Sequence, residues 1–208
     1  MQIPKAIMDK ISPSNIEIAQ RKDEFKNFVK SNDTREIIDK YLLFGTPYIF
    51  RNDENKYYAL QREIEEYFSV KRGNVHIVGS SKLGFSISPK KRYHDWNEES
   101  DIDIALIDYD LFLDYWKQIY KYDPKVSCMT EKEKNRYSSF VEYFKRGWLR
   151  PDLFPKRMGD ELFSFLNTLH GEYQYKVRVG IYADEFFFNE YNESNINRLK
   201  EELENGIY

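Results

Sequence analysis

The sequence predicts an α/β (α+β) fold, a small mixed sheet wrapped by helices at both ends. Three observations predict it. The run Val75-His76-Ile77-Val78 is mostly apolar and stops at Gly79-Ser80, as a buried strand meeting a tight turn does. From Asp101 to Asp108 the pattern alternates: Asp101, Asp103, Ala105 and Ile107 share one strand face, and Ile102, Ile104, Leu106 and Asp108 the other. On both sides of these strands, apolar residues recur at helical spacing. A chain of 208 residues suits one domain, 1–208. Within it, 1–56 reads as an N-terminal helical extension and 57–123 as the motif-bearing core. The remainder, 124–208, reads as a helical insert, a third strand and a C-terminal helix.

In chain order, Met1 to Pro13 reads as an irregular arm. A helix follows from about Asn15 to Lys30, with Ile18, Phe25, Phe28 and Val29 on one side. Asp33-Thr34-Arg35-Glu36 is a capping signal for a helix carrying Ile37, Ile38, Tyr41 and Leu42, ended by Gly45 and Pro47. The next helix starts near Asn55, places Tyr57, Leu60, Ile64 and Phe68 in a stripe, and exits through Lys71-Arg72-Gly73-Asn74. A short helix over Ser81 to Ser86 follows the first strand. Tyr109 to Tyr122 is helical, and Thr130-Glu131-Lys132-Glu133 is a capping box opening another helix with Tyr137, Phe140, Val141, Phe144 and Trp148. Two prolines within Leu149 to Pro155 exclude regular structure there. The pattern then gives a helix from about Asp160 to Leu169 ending at Gly171, a strand from Tyr173 to Ala183, and a last helix from about Ser194 to Leu203, capped by Gly206.

The near balance of 32 basic and 35 acidic residues argues against a strongly basic duplex-binding surface. A single cysteine, Cys128, rules out an intrachain disulfide, and with three scattered histidines it argues against a Cys/His zinc site. No apolar run reaches the length of a membrane span and the N-terminus has no signal-like apolar region, so the expectation is a soluble protein of a reducing cytoplasm with no membrane partner.

Chemistry is concentrated at the two strands. Asp101 and Asp103 are neighbouring carboxylates on one face and repel each other, which a half-buried strand tolerates when a cation sits between them. Hard oxygen ligands at this spacing suit Mg²⁺ or Mn²⁺. Gly79 permits close approach of a ligand to the backbone, and N–H groups and serine hydroxyls at such a turn bind anions.

Gly79-Ser80 after one strand, with Asp101-x-Asp103 on the next, resembles the signature of the DNA polymerase beta-like nucleotidyltransferase superfamily. The likeness covers Tyr57 to Asp108 well and the rest by order of elements. It implies a polymerase-beta-like core and a metal-dependent, template-independent transfer of a nucleotide from an NTP or dNTP to a hydroxyl, with release of pyrophosphate. In that scheme Asp101 and Asp103 are the catalytic metal ligands, and Gly79, Ser80 and Ser81 hold the phosphates. Lys82 adds positive charge or faces solvent as an ordinary helix residue. The layout is most similar to stand-alone bacterial members, including the nucleotidyltransferase of the Hailong anti-phage defence system. A nucleotide or oligonucleotide signal is then the expected product, and an effector or toxin protein an expected partner. The alternatives are a toxin–antitoxin type enzyme modifying a protein or tRNA, or a non-catalytic nucleotide-binding partner.

The resemblance also implies a third acidic ligand, near the strand Tyr173 to Ala183, where Arg178 stands instead. Three readings stay open: Asp152, toward which the rigid Arg150-Pro151-Asp152 turn leans the choice; Asp184, otherwise a helix cap; or only two protein carboxylates, with water or substrate completing the shell. The Ser88 to Glu99 loop is either a solvated insertion or brings Lys90, Lys91 or Arg92 to a triphosphate and Tyr93, His94 or Trp96 to a base. Tyr208, beyond the last helix, is a candidate hydroxyl acceptor as well as an ordinary chain end.

Overall fold

A computed structural model describes residues 13–122, 125, 128–154 and 160–207. Nearly all of the arm expected at Met1 to Pro13, and Tyr208, lie outside them. The four strands are β1 (Val75–Val78), β2 (Ile102–Ile107), β3 (Trp148–Leu149) and β4 (Val177–Tyr182). Their order is β1-β2-β4-β3, and the sheet is mixed: β1 runs antiparallel to β2, β2 parallel to β4, and β3 antiparallel to β4.

The alternation in β2 and β4 sorts the core into two layers. Ile102, Ile104 and Leu106, with Val177, Val179 and Ile181, face one side. There they meet α3 (Glu54–Phe68), α5 (Tyr109–Lys121), α6 (Glu131–Lys145) and α7 (Asp160–Tyr173) through Leu60, Ile64, Phe112, Phe140 and Leu169. Ala105 and Tyr182 face the other side. They pack with α1 (Pro13–Ser31), α2 (Thr34–Ile38) and α8 (Glu185–Glu204) through Phe25, Val29, Ile37, Phe188, Ile196 and Leu199. Both layers are apolar on both faces of a short sheet, so its strands are held by burial more than by length.

The capping signals act as the sequence indicates. Asp33 Oδ1 accepts from the Glu36 N–H at 2.8 Å, and the Thr130–Glu133 box is reciprocal. Three expectations are corrected. The Leu149 to Pro155 stretch is not wholly irregular: Leu149 belongs to β3, and Pro151–Leu153 forms a 3₁₀ turn with proline at its start, where no N–H is needed. α7 runs through Gly171 to Tyr173 because Tyr173 is buried, with its hydroxyl donating to Glu63 at 2.8 Å. The last helix, α8, begins at Glu185 rather than near Ser194, because Asp184 Oδ1 caps it by accepting from the Phe186 and Phe187 N–H groups. Among the described residues no helix is long and apolar enough to cross a membrane.

Candidate active site

On the α8 side of the sheet a cleft of about 760 Å³ opens beside the ends of β1, β2 and β4. Its walls include Gly79, Ser80, Asp101, Asp103, Arg150, Asp152 and Arg178, with Trp148, Tyr182 and Tyr191 forming an aromatic side. The register explains the convergence. Val78 pairs with Asp103 across the antiparallel strands, so the turn that follows Val78 lands beside that carboxylate. Asp103 also pairs with Arg178 across the parallel strands.

Gly79 opens the five-residue helix α4 (Gly79–Leu83) in the left-handed region, at φ 68°. A β-carbon there would lie 2.9 Å from Asp103 Oδ2, so only glycine lets turn and carboxylate share this space. Ser80 lines the cleft. Ser81 does not: it is fully buried, its hydroxyl donating to the Val78 carbonyl at 2.9 Å and accepting from the Asp103 N–H at 3.4 Å. It fixes the turn against β2 rather than presenting a hydroxyl to a ligand. Lys82 is also turned into the body of the protein, where its ammonium donates to the Gly45 carbonyl. Burial, and secondarily Arg21, lower its pKa to about 8. The expected cradle of four residues is therefore reduced at the cleft to Gly79 and Ser80.

Asp103 in β2 and Asp101, the residue just before that strand, have different surroundings. Arg178 Nε lies 2.9 Å from Asp101 Oδ2, with side-chain exposures of 44% and 24%. Asp103 has no side-chain partner in hydrogen-bond contact among the described residues. Its burial, with Asp101 beside it, pushes its carboxyl up to about 6 against the opposing pull of Arg178 and Arg150.

Asp152 reaches the same cleft, but its carboxylate is gripped by Arg150, Nε to Oδ1 at 3.1 Å and a terminal nitrogen to Oδ2 at 2.6 Å. Arg136 binds its carbonyl. Among the described residues no three His, Cys, Asp or Glu side chains come together as a metal-holding group. Asp152, one of the three readings for a third ligand, thus stands in the cleft as a partner of Arg150. Asp184 is the α8 cap and lies outside the cleft walls.

The Ser88 to Glu99 loop is ordered back onto the protein. Ser86 N–H donates to the His94 carbonyl and Tyr93 N–H to the Ser86 carbonyl, at 2.9 and 2.8 Å. Arg92 is buried and pairs with Glu202 of α8 at 2.6 Å, so it is a tether and not a phosphate ligand. Trp96 packs on Tyr175, ring centres 4.7 Å apart, away from the cleft. Lys91 and His94 do line it.

Sequence reasoning missed Trp148, Arg150, Tyr191, Asn192 and Asn195 as wall residues. Trp148 stacks on Tyr182 with centres 5.4 Å apart and planes at 5°, over Gly180, which has no side chain to block the indole. Arg150 lies over the Trp148 ring at 5.3 Å. The signal for Asn192 and Asn195 was their helical spacing with Phe188 on α8, hidden while the helix was started at Ser194. No protein-family model, curated protein or solved structure matches this chain.

Proposed function

We propose that this chain is a metal-dependent, template-independent nucleotidyltransferase, moving a nucleotide from an NTP or dNTP to a hydroxyl acceptor with release of pyrophosphate. The observation that carries this reading is the meeting of Gly79 with Asp103: a turn stripped of side chain lies against a carboxylate that has no cationic partner in contact, at the wall of a cleft large enough for a nucleotide.

The donor set fits a hard divalent cation, since Asp101 and Asp103 offer four oxygens at one cleft wall and a neighbouring positive charge would bring the raised carboxyl of Asp103 back down. When bound, Mg²⁺ or Mn²⁺ would supply Lewis-acid charge at the α-phosphate and the leaving pyrophosphate. Gly79 and Ser80 provide the close-approach surface for the phosphates, and Ser81 keeps that turn pinned to β2. On the aromatic side Trp148, backed by the buried Tyr182, and the exposed Tyr191 offer ring surface to a base. The acceptor hydroxyl gives up its proton to solvent, its oxygen bonds to the α-phosphorus, the bond from that phosphorus to the oxygen bridging the β-phosphate breaks, and pyrophosphate leaves. Likeness to stand-alone defence enzymes makes a nucleotide or oligonucleotide signal the product we assign.

A second reading, a nucleotide-binding partner without catalysis, is favoured by the engagement of Asp152 with Arg150. Incubating the purified chain with each labelled NTP and dNTP plus Mg²⁺ or Mn²⁺, and resolving the products, separates the two. Transfer that is lost in Asp101→Asn/Asp103→Asn supports the enzyme. Retained nucleotide binding with no labelled product supports the partner, and neither binding nor transfer defeats both.

A further inference from the structure

The cleft holds two arginines in unlike states. Arg150 is fixed: two of its nitrogens bond the Asp152 carboxylate, and its plane lies over Trp148 and Tyr143. Arg178 is loose. It is 44% exposed, it reaches Asp101 through Nε, and among the described residues no hydrogen bond engages its two terminal nitrogens. An ion pair this exposed is held weakly. Arg178 nevertheless stands in register with Asp103, on the wall shared with Gly79 and Ser80. The cation of the turn itself, Lys82, is bound to the Gly45 carbonyl.

We infer that Arg178 exchanges partners, giving up Asp101 to an incoming divalent cation and turning its guanidinium to the polyphosphate chain that arrives with it. A divalent ion on Asp101 removes the attraction that holds Arg178 there and adds repulsion between like charges. The freed guanidinium has the planar fork that suits phosphate oxygens, and it needs only a rotation of a side chain already on the cleft wall to meet them. Arg178 therefore competes with the metal before the polyphosphate arrives and cooperates with it afterwards. This rests on the proposed nucleotide site, but it concerns ion and phosphate binding and not transfer.

The opposite signs make it testable with inorganic probes. Mn²⁺ binding to the full chain is followed by electron paramagnetic resonance, and tripolyphosphate binding at saturating Mn²⁺ by calorimetry. Arg178→Gln is expected to bind Mn²⁺ alone about threefold more tightly, the scale of a lost exposed ion pair. It is expected to bind tripolyphosphate with Mn²⁺ at least about tenfold more weakly, the scale of a lost charged hydrogen bond. Arg178→Lys keeps the charge and should stay near wild type for Mn²⁺ alone. Unchanged or weaker Mn²⁺ binding in Arg178→Gln, unchanged tripolyphosphate binding, or an Arg178→Lys variant matching Arg178→Gln for Mn²⁺ alone would each overturn the exchange, as would wild type that binds no Mn²⁺. If the opposite shifts appear but no labelled product is ever formed, the exchange stands and the transferase reading fails.

Discussion

Gly79 and Asp103 occupy one another's space: a β-carbon at position 79 would stand 2.9 Å from Asp103 Oδ2, and the glycine backbone is left-handed at φ 68°. Both facts penalise any other residue. The left-handed region costs an L-residue about 1–2 kcal/mol, and the carboxylate must also move. Gly79→Ala is expected to lose about that much stability in denaturant melts and to weaken Mn²⁺ binding, and Gly79→Val to lose more of each. Alanine behaving as glycine in both measurements would mean that the turn and the carboxylate are independent.

The parts of this site that were legible in the sequence are those whose local pattern has one physical solution. Asp103 in β2 and Asp101 just before it both reach the cleft because they are two apart on extended chain, and Gly79 lies at a strand end because an apolar run stops there. What a side chain does once its element turns was not legible. Ser81 and Lys82 follow Gly79-Ser80 in sequence, yet the helical turn carries both away from the cleft, and only the tertiary position of Gly45 shows what Lys82 binds. β3 was hidden because a two-residue strand has no period to read. The amide face of α8 was hidden because the mixed first half of that helix, Phe186 to Tyr191, masks its stripe. Its Asp184 cap was visible but was also weighed as a ligand.

Lys82 gives the chain a pH dependence of definite sign. Its pKa is about 8 in the folded chain against an ordinary value of 10.5, so the unfolded chain holds the proton more tightly. Where the unfolded state binds more protons, stability rises with pH. The window is therefore about 8 to 10.5, and the gain there is on the order of 2 kcal/mol after allowance for solvent screening. Other groups titrate in the same range, so the comparison is with Lys82→Met. The stability of wild type relative to this variant should climb across the window and be flat below pH 7. A flat difference throughout would mean that Lys82 is solvated like any surface lysine.

Asp152 and Asp184 separate by what their loss does. Asp184 caps α8, so Asp184→Ala should cost about 1 kcal/mol of stability and leave Mn²⁺ affinity unchanged. Asp152 holds Arg150, so Asp152→Ala should also leave Mn²⁺ affinity within about threefold, while releasing a guanidinium over Trp148 that tryptophan fluorescence can follow. A large fall in Mn²⁺ affinity for Asp152→Ala would restore it as a ligand.

Arg92 and Glu202 tie the loop that flanks the cleft to the far end of α8. The arginine side chain is 1% exposed and the glutamate 16%, and the two approach to 2.6 Å. Arg92 also donates to the Ile87 carbonyl within its own loop. Glu202 keeps a second partner, Arg198 Nε at 3.1 Å, so removing Arg92 costs less than the roughly 3–5 kcal/mol of a fully unpaired buried charge, and removing both Arg92 and Glu202 costs less still. The loop, whose backbone is held by the Ser86–His94, Tyr93–Ser86 and Trp96–Gly84 bonds and whose Trp96 packs on Tyr175, is where that cost should appear first. Arg92→Met should therefore raise amide hydrogen exchange at Ser86, Tyr93 and Trp96 well before global stability is lost, and adding Glu202→Gln should recover part of the protection. Exchange unchanged at these amides would show that the loop is held by its own packing. Loss of tripolyphosphate binding with exchange unchanged would return Arg92 to the role of a phosphate ligand.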